Sequence, residues 1–159
     1  MSQRGPGGNG MRIKNYTSTV PVSRTVARIE ECLARAGASA IMKDYDHGRL
    51  TAICFKIRMA TGREVAIRLP ADEDAVYRVL EKAVRRPRKD TVDRLRDQAQ
   101  RTAWKLQQDF VEVQLSLIEM EQTDPMRAFL AYVWDGTRTF YDCLQAGGFK
   151  MLPAPKEIH

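Results

Sequence analysis

Residues 39–69, SAIMKDYDHGRLTAICFKIRMATGREVAIRL, decide the fold. Ile53, Phe55, Ile57 and Met59 alternate with Lys56 and Arg58, the period of two that a half-buried strand requires. Val65, Ile67 and Leu69 repeat the alternation against Glu64 and Arg68. Asp46-His47-Gly48 before Leu50 and Thr61-Gly62 before Glu64 supply tight turns, because glycine and short polar residues tolerate the left-handed backbone such turns use. The stretch therefore predicts two consecutive hairpins, a three-stranded antiparallel sheet.

Upstream, a short extended segment from Asn15 to Val20 leads through Pro21 to Ser23, a candidate helix N-cap. Val22, Val26, Ile29, Leu33 and Ala36 follow at helical spacing, and Gly37 closes the helix. Downstream, Pro70 ends the third strand. Asp72, Glu73 and Asp74 then open a second amphipathic helix carrying Val76, Val79, Leu80, Ala83 and Val84, with Lys82, Arg85 and Arg86 at its end. Acids first and bases last suit the helix dipole.

After Pro87, Asp90 or Thr91 is expected to cap a long helix running to about Met120, on the order of 45 Å at 1.5 Å per residue. Ala99, Ala103, Leu106, Phe110, Val113, Leu117 and Met120 fall at alternating spacings of four and three, a coiled-coil-like seam. Trp104, Val111, Leu115 and Ile118 widen it. Asp124-Pro125 opens a fourth helix expected to run through Trp134 and stop at Gly136, and a short helix spans about 140–145. The fold class is α+β: helix, two-hairpin sheet, helix, long helix and C-terminal helical hairpin. Residues 1–12, Gly-rich and polar, read as a disordered extension with Met11 as a candidate original start. Residues 13–150 read as one domain, with an α-β-β-β-α part at 13–86 and a helical part at 90–150, and 151–159 as a tail.

The whole chain, 159 residues with 43% hydrophobic and 29% charged, has ordinary globular composition. No apolar run approaches the roughly 20 residues that span a bilayer, and the N-terminus lacks the apolar stretch of a signal peptide. The expected location is the cytoplasm, with no membrane contact. Cys32, Cys54 and Cys143 lie far apart without a Cys-x-x-Cys pair, so no disulfide framework or zinc site is expected, and each thiol reads as a small core residue.

Catalytic candidates are few. His47 sits in a hairpin turn and His159 at the C-terminus, and Asp44-Tyr45-Asp46-His47 reads as turn chemistry. There is no nucleophile elbow, phosphate loop, dinucleotide fingerprint or HExxH. Glu112 and Glu119, seven apart on one helix face, lack a histidine partner and read as solvated charge. No catalytic residue, metal or cofactor is expected, and the protein is not expected to be an enzyme. Trp104 and Trp134 fall within helical apolar patterns and read as core residues.

Binding is the better expectation. The order helix, three strands, helix from Ser23 to Arg86 matches the topology of the double-stranded-RNA-binding domain, which grips phosphates with lysines opening its second helix. Asp72, Glu73 and Asp74 stand there and would repel phosphate. The net charge of +6 is instead concentrated in Arg85, Arg86, Arg88, Lys89, Arg94, Arg96, Arg101 and Lys105. These suit phosphate oxygens in a nucleic-acid backbone, with nothing to read bases. From Gln107 to Met126 the chain has no Lys or Arg, so the long helix runs against its own dipole. Two antiparallel copies would match basic end to acidic end, with Leu106, Phe110, Val113 and Leu117 as the homodimer interface.

Several stretches resemble small uncharacterised proteins encoded by bacteriophages and prophages. They are Asn15-Tyr16-Thr17 before a Val-Pro, Gly37-Ala38 to Tyr45, Arg68-Leu69-Pro70, Arg101-Thr102-Ala103-Trp104 and Gln114-Leu115-Ser116-Leu117-Ile118-Glu119. The resemblance covers about residues 12–120, with Phe110 standing where a Trp is expected, and it carries over no catalytic residue. It implies one of two jobs: handling nucleic acid, or binding and blocking a host defence protein in the manner of an anti-CRISPR-like factor. Nucleic-acid binding through the basic region is the leading expectation.

Overall fold

The computed structural model describes residues 13–86 and 88–156, so the expected N-terminal extension at 1–12 lies outside the described residues. The elements are α1 (Val22–Arg35), β1 (Ala40–Asp46), β2 (Arg49–Arg58), β3 (Glu64–Pro70), α2 (Glu73–Glu81), α3 (Lys89–Glu119), α4 (Pro125–Phe129), a 3-10 turn (Leu130–Tyr132) and α5 (Phe140–Ala146). This is the α+β order read from the sequence.

The sheet is antiparallel in the order β1-β2-β3. Its register sets Ile41 opposite Phe55 and Phe55 opposite Ile67, with Ile53 opposite Leu69, so one face is continuously apolar. His47 and Gly48 form the first turn with φ of 47° and 77°, the pair of positive values a two-residue hairpin loop of this hand needs. On the apolar face pack Val26, Ile29 and Leu33 of α1, Trp104 and Val111 of α3, and Phe129 of α4, in one core cluster. On the other face Cys54 is also buried, under Asp44 and Arg68, whose Nε donates to Asp44 Oδ2 at 3.2 Å.

α3 serves two neighbours. Trp104 and Val111 face the sheet, while Ala99 and Ala103 pack against Val76 and Leu80 of α2 in a second cluster. Its apolar positions thus answer to two different surfaces.

Several boundaries differ from the sequence reading. The segment expected to be extended turns at Lys14–Thr17, where the Ser18 amide donates to Asn15 O at 3.0 Å. Ser23 is not the cap of α1: the helix starts at Val22, with the Arg24 and Thr25 amides donating to Pro21 O. α2 stops at Glu81, which leaves Arg85 and Arg86 in the connector rather than in the helix. α3 starts at Lys89 with Arg88 at the N-cap, so neither Asp90 nor Thr91 caps it.

α4 ends at Phe129, five residues short of Trp134. Val133 instead bridges Ile67, and the Trp134 amide donates to Ala66 O at 2.8 Å. The outer backbone groups of β3 would otherwise lack partners, and pairing with them wins over continuing a helix. Gly136, with φ of 103°, then belongs to the turn that brings Thr139 opposite Trp134. Trp134 is therefore only half-buried and not helical, whereas Trp104 is fully buried as expected. All three thiols are free. Cys54 is buried, Cys32 half-buried, and Cys143 exposed on α5, which corrects its reading as a core residue.

Candidate nucleic-acid interface

The α2–α3 connector is held from both sides. Asp72 caps α2 by accepting from the Ala75 amide at 2.8 Å, and Ala83 and Val84 continue its last turn onto Leu80 and Glu81 carbonyls. α3 begins six residues beyond the last of these bonds. Arg85, Arg86, Arg88 and Lys89 are all exposed around its first turn.

That turn is bare. No side chain caps α3, whereas Asp72, Asp124 and Thr139 cap α2, α4 and α5. The first amides of an uncapped helix have no intrahelical partner, and the aligned peptide dipoles place positive potential beside them. Asp90 offsets part of this within the first turn. Between residues 78 and 96 eight basic residues face three acidic ones.

The eight basic residues singled out from the sequence divide into two groups. Arg85, Arg86, Arg88, Lys89 and Arg94 are exposed and form no ion pair or side-chain hydrogen bond with the described residues. The other three are engaged in the architecture. Arg96 lies 4.3 Å over the Tyr77 ring and 3.5 Å from Asp74, tying α3 to α2. Arg101 donates from Nε to Ser18 O at 3.1 Å and from Nη2 to Gln98 Oε1 at 2.8 Å, pinning the N-terminal segment to α3. Lys105 donates to Gln108 Oε1 at 3.0 Å. The structure thus gathers the first five at one end of α3 and commits the last three elsewhere.

The N-terminal segment has a second tether that the sequence reading missed. Lys14 pairs with Asp109, and Asn15 Nδ2 donates to the same carboxylate at 2.7 Å. Burial alone would raise the Asp109 carboxyl, but these two donors outweigh it and hold the group below its ordinary range. No local sequence pattern links residues about ninety-five apart.

The expected interface residues of α3 are placed unevenly. Leu106 belongs to the α2 cluster, and Phe110 packs edge-on against Phe129 at 6.0 Å and Tyr132 at 5.9 Å. Leu117 is half-buried, while Val113 and Met120 are 57% and 58% exposed. A shallow groove of about 680 Å³ runs along these residues.

Chemistry of other kinds finds little purchase among the described residues. His47 is almost fully exposed in its turn, 2.7 Å from Asp46. A cleft of about 670 Å³ between α1 and α3 holds Arg28, Cys32, Arg35, Arg58, Glu112 and Glu119. There Arg28 is held between Glu31 and Glu112, and burial pushes the Cys32 thiol up, away from the thiolate a nucleophile needs. Burial and the neighbouring Asp44 push Cys54 up to about 11. Glu112 is bonded to Arg28 and Gln108, and no group of three His, Cys, Asp or Glu side chains is placed to hold a metal among the described residues. Nor is any described helix long and apolar enough to cross a membrane.

Comparison with protein-family models, with curated proteins and with solved structures finds no match.

Proposed function

We propose that the protein is a non-enzymatic accessory protein, of phage or prophage type, that binds the phosphate backbone of nucleic acid through the α2–α3 connector. The observation that carries this reading is the convergence of five exposed cations, none with a partner among the described residues, on an uncapped helix start. Guanidinium forks grip phosphate oxygens bidentately, and bare first-turn amides accept the same anion along the dipole. Arg85, Arg86, Arg88, Lys89 and Arg94 make the contact. Arg96, Arg101 and Lys105 support it by fixing α3 against α2 and the N-terminal segment. No aromatic or amide side chain is placed there to read base edges, so binding is insensitive to sequence.

Electrophoretic shift of single-stranded DNA, duplex DNA and RNA at low and moderate salt tests this. Binding at low salt that weakens in Arg85→Ala/Arg86→Ala/Arg88→Ala/Lys89→Ala supports it, and absence of any shift at low salt removes it.

A second reading, a protein-directed inhibitor of a host protein, is favoured by one observation: Val113 and Met120 stand exposed on the same apolar line of α3. A pull-down from the bacterial host whose captured partner is lost with Val113→Asp, and kept with the four-alanine connector variant, would favour this reading over the first.

A further inference from the structure

The geometry points to the open half of α3 as a docking face for a cationic amphipathic helix of a partner protein, an inference that rests on the protein-directed reading. The apolar line of α3 is covered over its first half, where Ala99 and Ala103 lie under Val76 and Leu80 of α2, with Ile13 alongside. Past Leu106 that cover ends. Phe110 forms the floor, and Val113, Leu117 and Met120 continue the line into solvent. Leu106 to Met120 measures about 21 Å at 1.5 Å per residue, four turns, which matches the footprint of one helix of about 14 residues lying alongside.

Charge selects the occupant. The chain carries no Lys or Arg between Gln107 and Met126, but it carries Asp109, Glu112, Glu119, Glu121 and Asp124 there. The two cations near the head of the groove are engaged, Lys14 with Asp109 and Lys105 with Gln108. Glu119 and Glu121 at the other end are exposed and form no ion pair with the described residues. An apolar seam edged by uncompensated carboxylates is complementary to a helix with leucine-like residues at spacings of three and four and Lys or Arg beside them. An anionic lipid surface or an acidic helix would meet repulsion.

A second copy of this chain fits less well. Pairing basic end to acidic end requires the basic half of α3 to be open along the same line, and α2 occupies it. Two open halves laid together would share one sign of charge, with Glu119 and Glu121 on both.

Two synthetic peptides of about 14 residues test the inference by fluorescence anisotropy, both with leucine at helical seam positions, one carrying Lys and the other Glu elsewhere. The Lys peptide is expected to bind, with the Glu peptide weaker by about tenfold or more, and Glu119→Lys/Glu121→Lys is expected to reverse that order. Val113→Asp is expected to abolish binding of the Lys peptide. Val113 is exposed enough for the variant to keep its fold, checked by far-UV circular dichroism and by unchanged affinity for DNA. Equal affinity for both peptides, no binding of either, or indifference to the variants overturns the inference. So does sedimentation showing a dimer that Val113→Asp dissociates, because a second copy then covers the face. A host partner captured through Val113 while the Lys peptide fails to bind preserves the protein-directed reading and discards the cationic helix.

Discussion

Replacing Phe129 with alanine tests whether the C-terminal segment is part of the same folding unit as the sheet. Phe129 lies on a helix of only five residues, yet its side chain is fully buried and packs edge-on against Phe55 of β2 at 5.5 Å and Phe110 of α3 at 6.0 Å. Removing a buried phenylalanine ring costs about 3–5 kcal/mol through lost transfer energy and the cavity left behind. Two edge contacts of about 0.5–1.5 kcal/mol each place Phe129→Ala at the upper end, about 4–5 kcal/mol. A domain of this size holds about 5–15 kcal/mol in total, so the variant loses a large share of its stability. With a urea dependence of about 2 kcal/mol per molar, the midpoint falls by about 2 M. The assay is urea unfolding followed by tryptophan fluorescence and by far-UV circular dichroism, with coincident transitions expected from the two probes. A loss below about 1 kcal/mol, or a biphasic curve in which the helical signal of α1 and α3 survives an early step, would refute the single-core reasoning.

Three further outcomes follow from the same geometry. Iodoacetamide at pH 8 is expected to label the exposed Cys143 first and Cys54 only on unfolding, because Cys54 is buried and its thiol is pushed up to about 11; mass spectrometry of timed samples reads the order, and early labelling of Cys54 contradicts it. Asp109 has a depressed carboxyl, so its tether stabilises the fold above the ordinary value of 3.8 and is lost as pH falls through the lower folded value. Melting curves should show wild type above Asp109→Asn at pH 7, with the gap closing below pH 3.8; a gap unchanged with pH would sink the assignment. His47→Gly is expected to leave stability within about 0.5 kcal/mol of wild type and nucleic-acid binding unchanged, since His47 supplies only an exposed turn at positive φ; a loss of binding would give His47 a role denied to it here.

The sheet was legible because alternation and turn chemistry are local: His47-Gly48 and Gly62 sit where the hairpins need left-handed backbone, and the odd-numbered residues of β2 face the core. The long helix was legible in extent but not in partnership. Its apolar periodicity records which residues avoid water, not that Ala99 and Ala103 meet α2 while Trp104 and Val111 meet the sheet. The early end of α4 could not be read, because the pull on Val133 and Trp134 comes from unpaired backbone groups of β3 more than sixty residues away. Likewise the helix starts slipped where Ser23, Asp90 and Thr91 looked like caps, while Pro21 and Arg88 already held the extended geometry that precedes a helix. At the candidate interface the basic run was plain in the sequence. Its division was not, because Arg96, Arg101 and Lys105 are occupied by Tyr77, Asp74, Ser18 and Gln108, contacts that only the folded chain brings together.

The central claim is that the exposed cations at the start of α3 grip phosphates. It is tested most directly by the salt dependence of duplex DNA affinity, measured by fluorescence anisotropy on wild type and on the four-alanine connector variant. Each neutralised phosphate contributes about −0.9 to the slope of log affinity against log salt, so four contacts give about −3.6, or about a 150-fold loss between about 50 and 200 mM salt. The account predicts that slope for wild type and a slope flatter by about three units for the variant. Wild type that fails to bind at about 50 mM salt, or two proteins with the same slope, would contradict it.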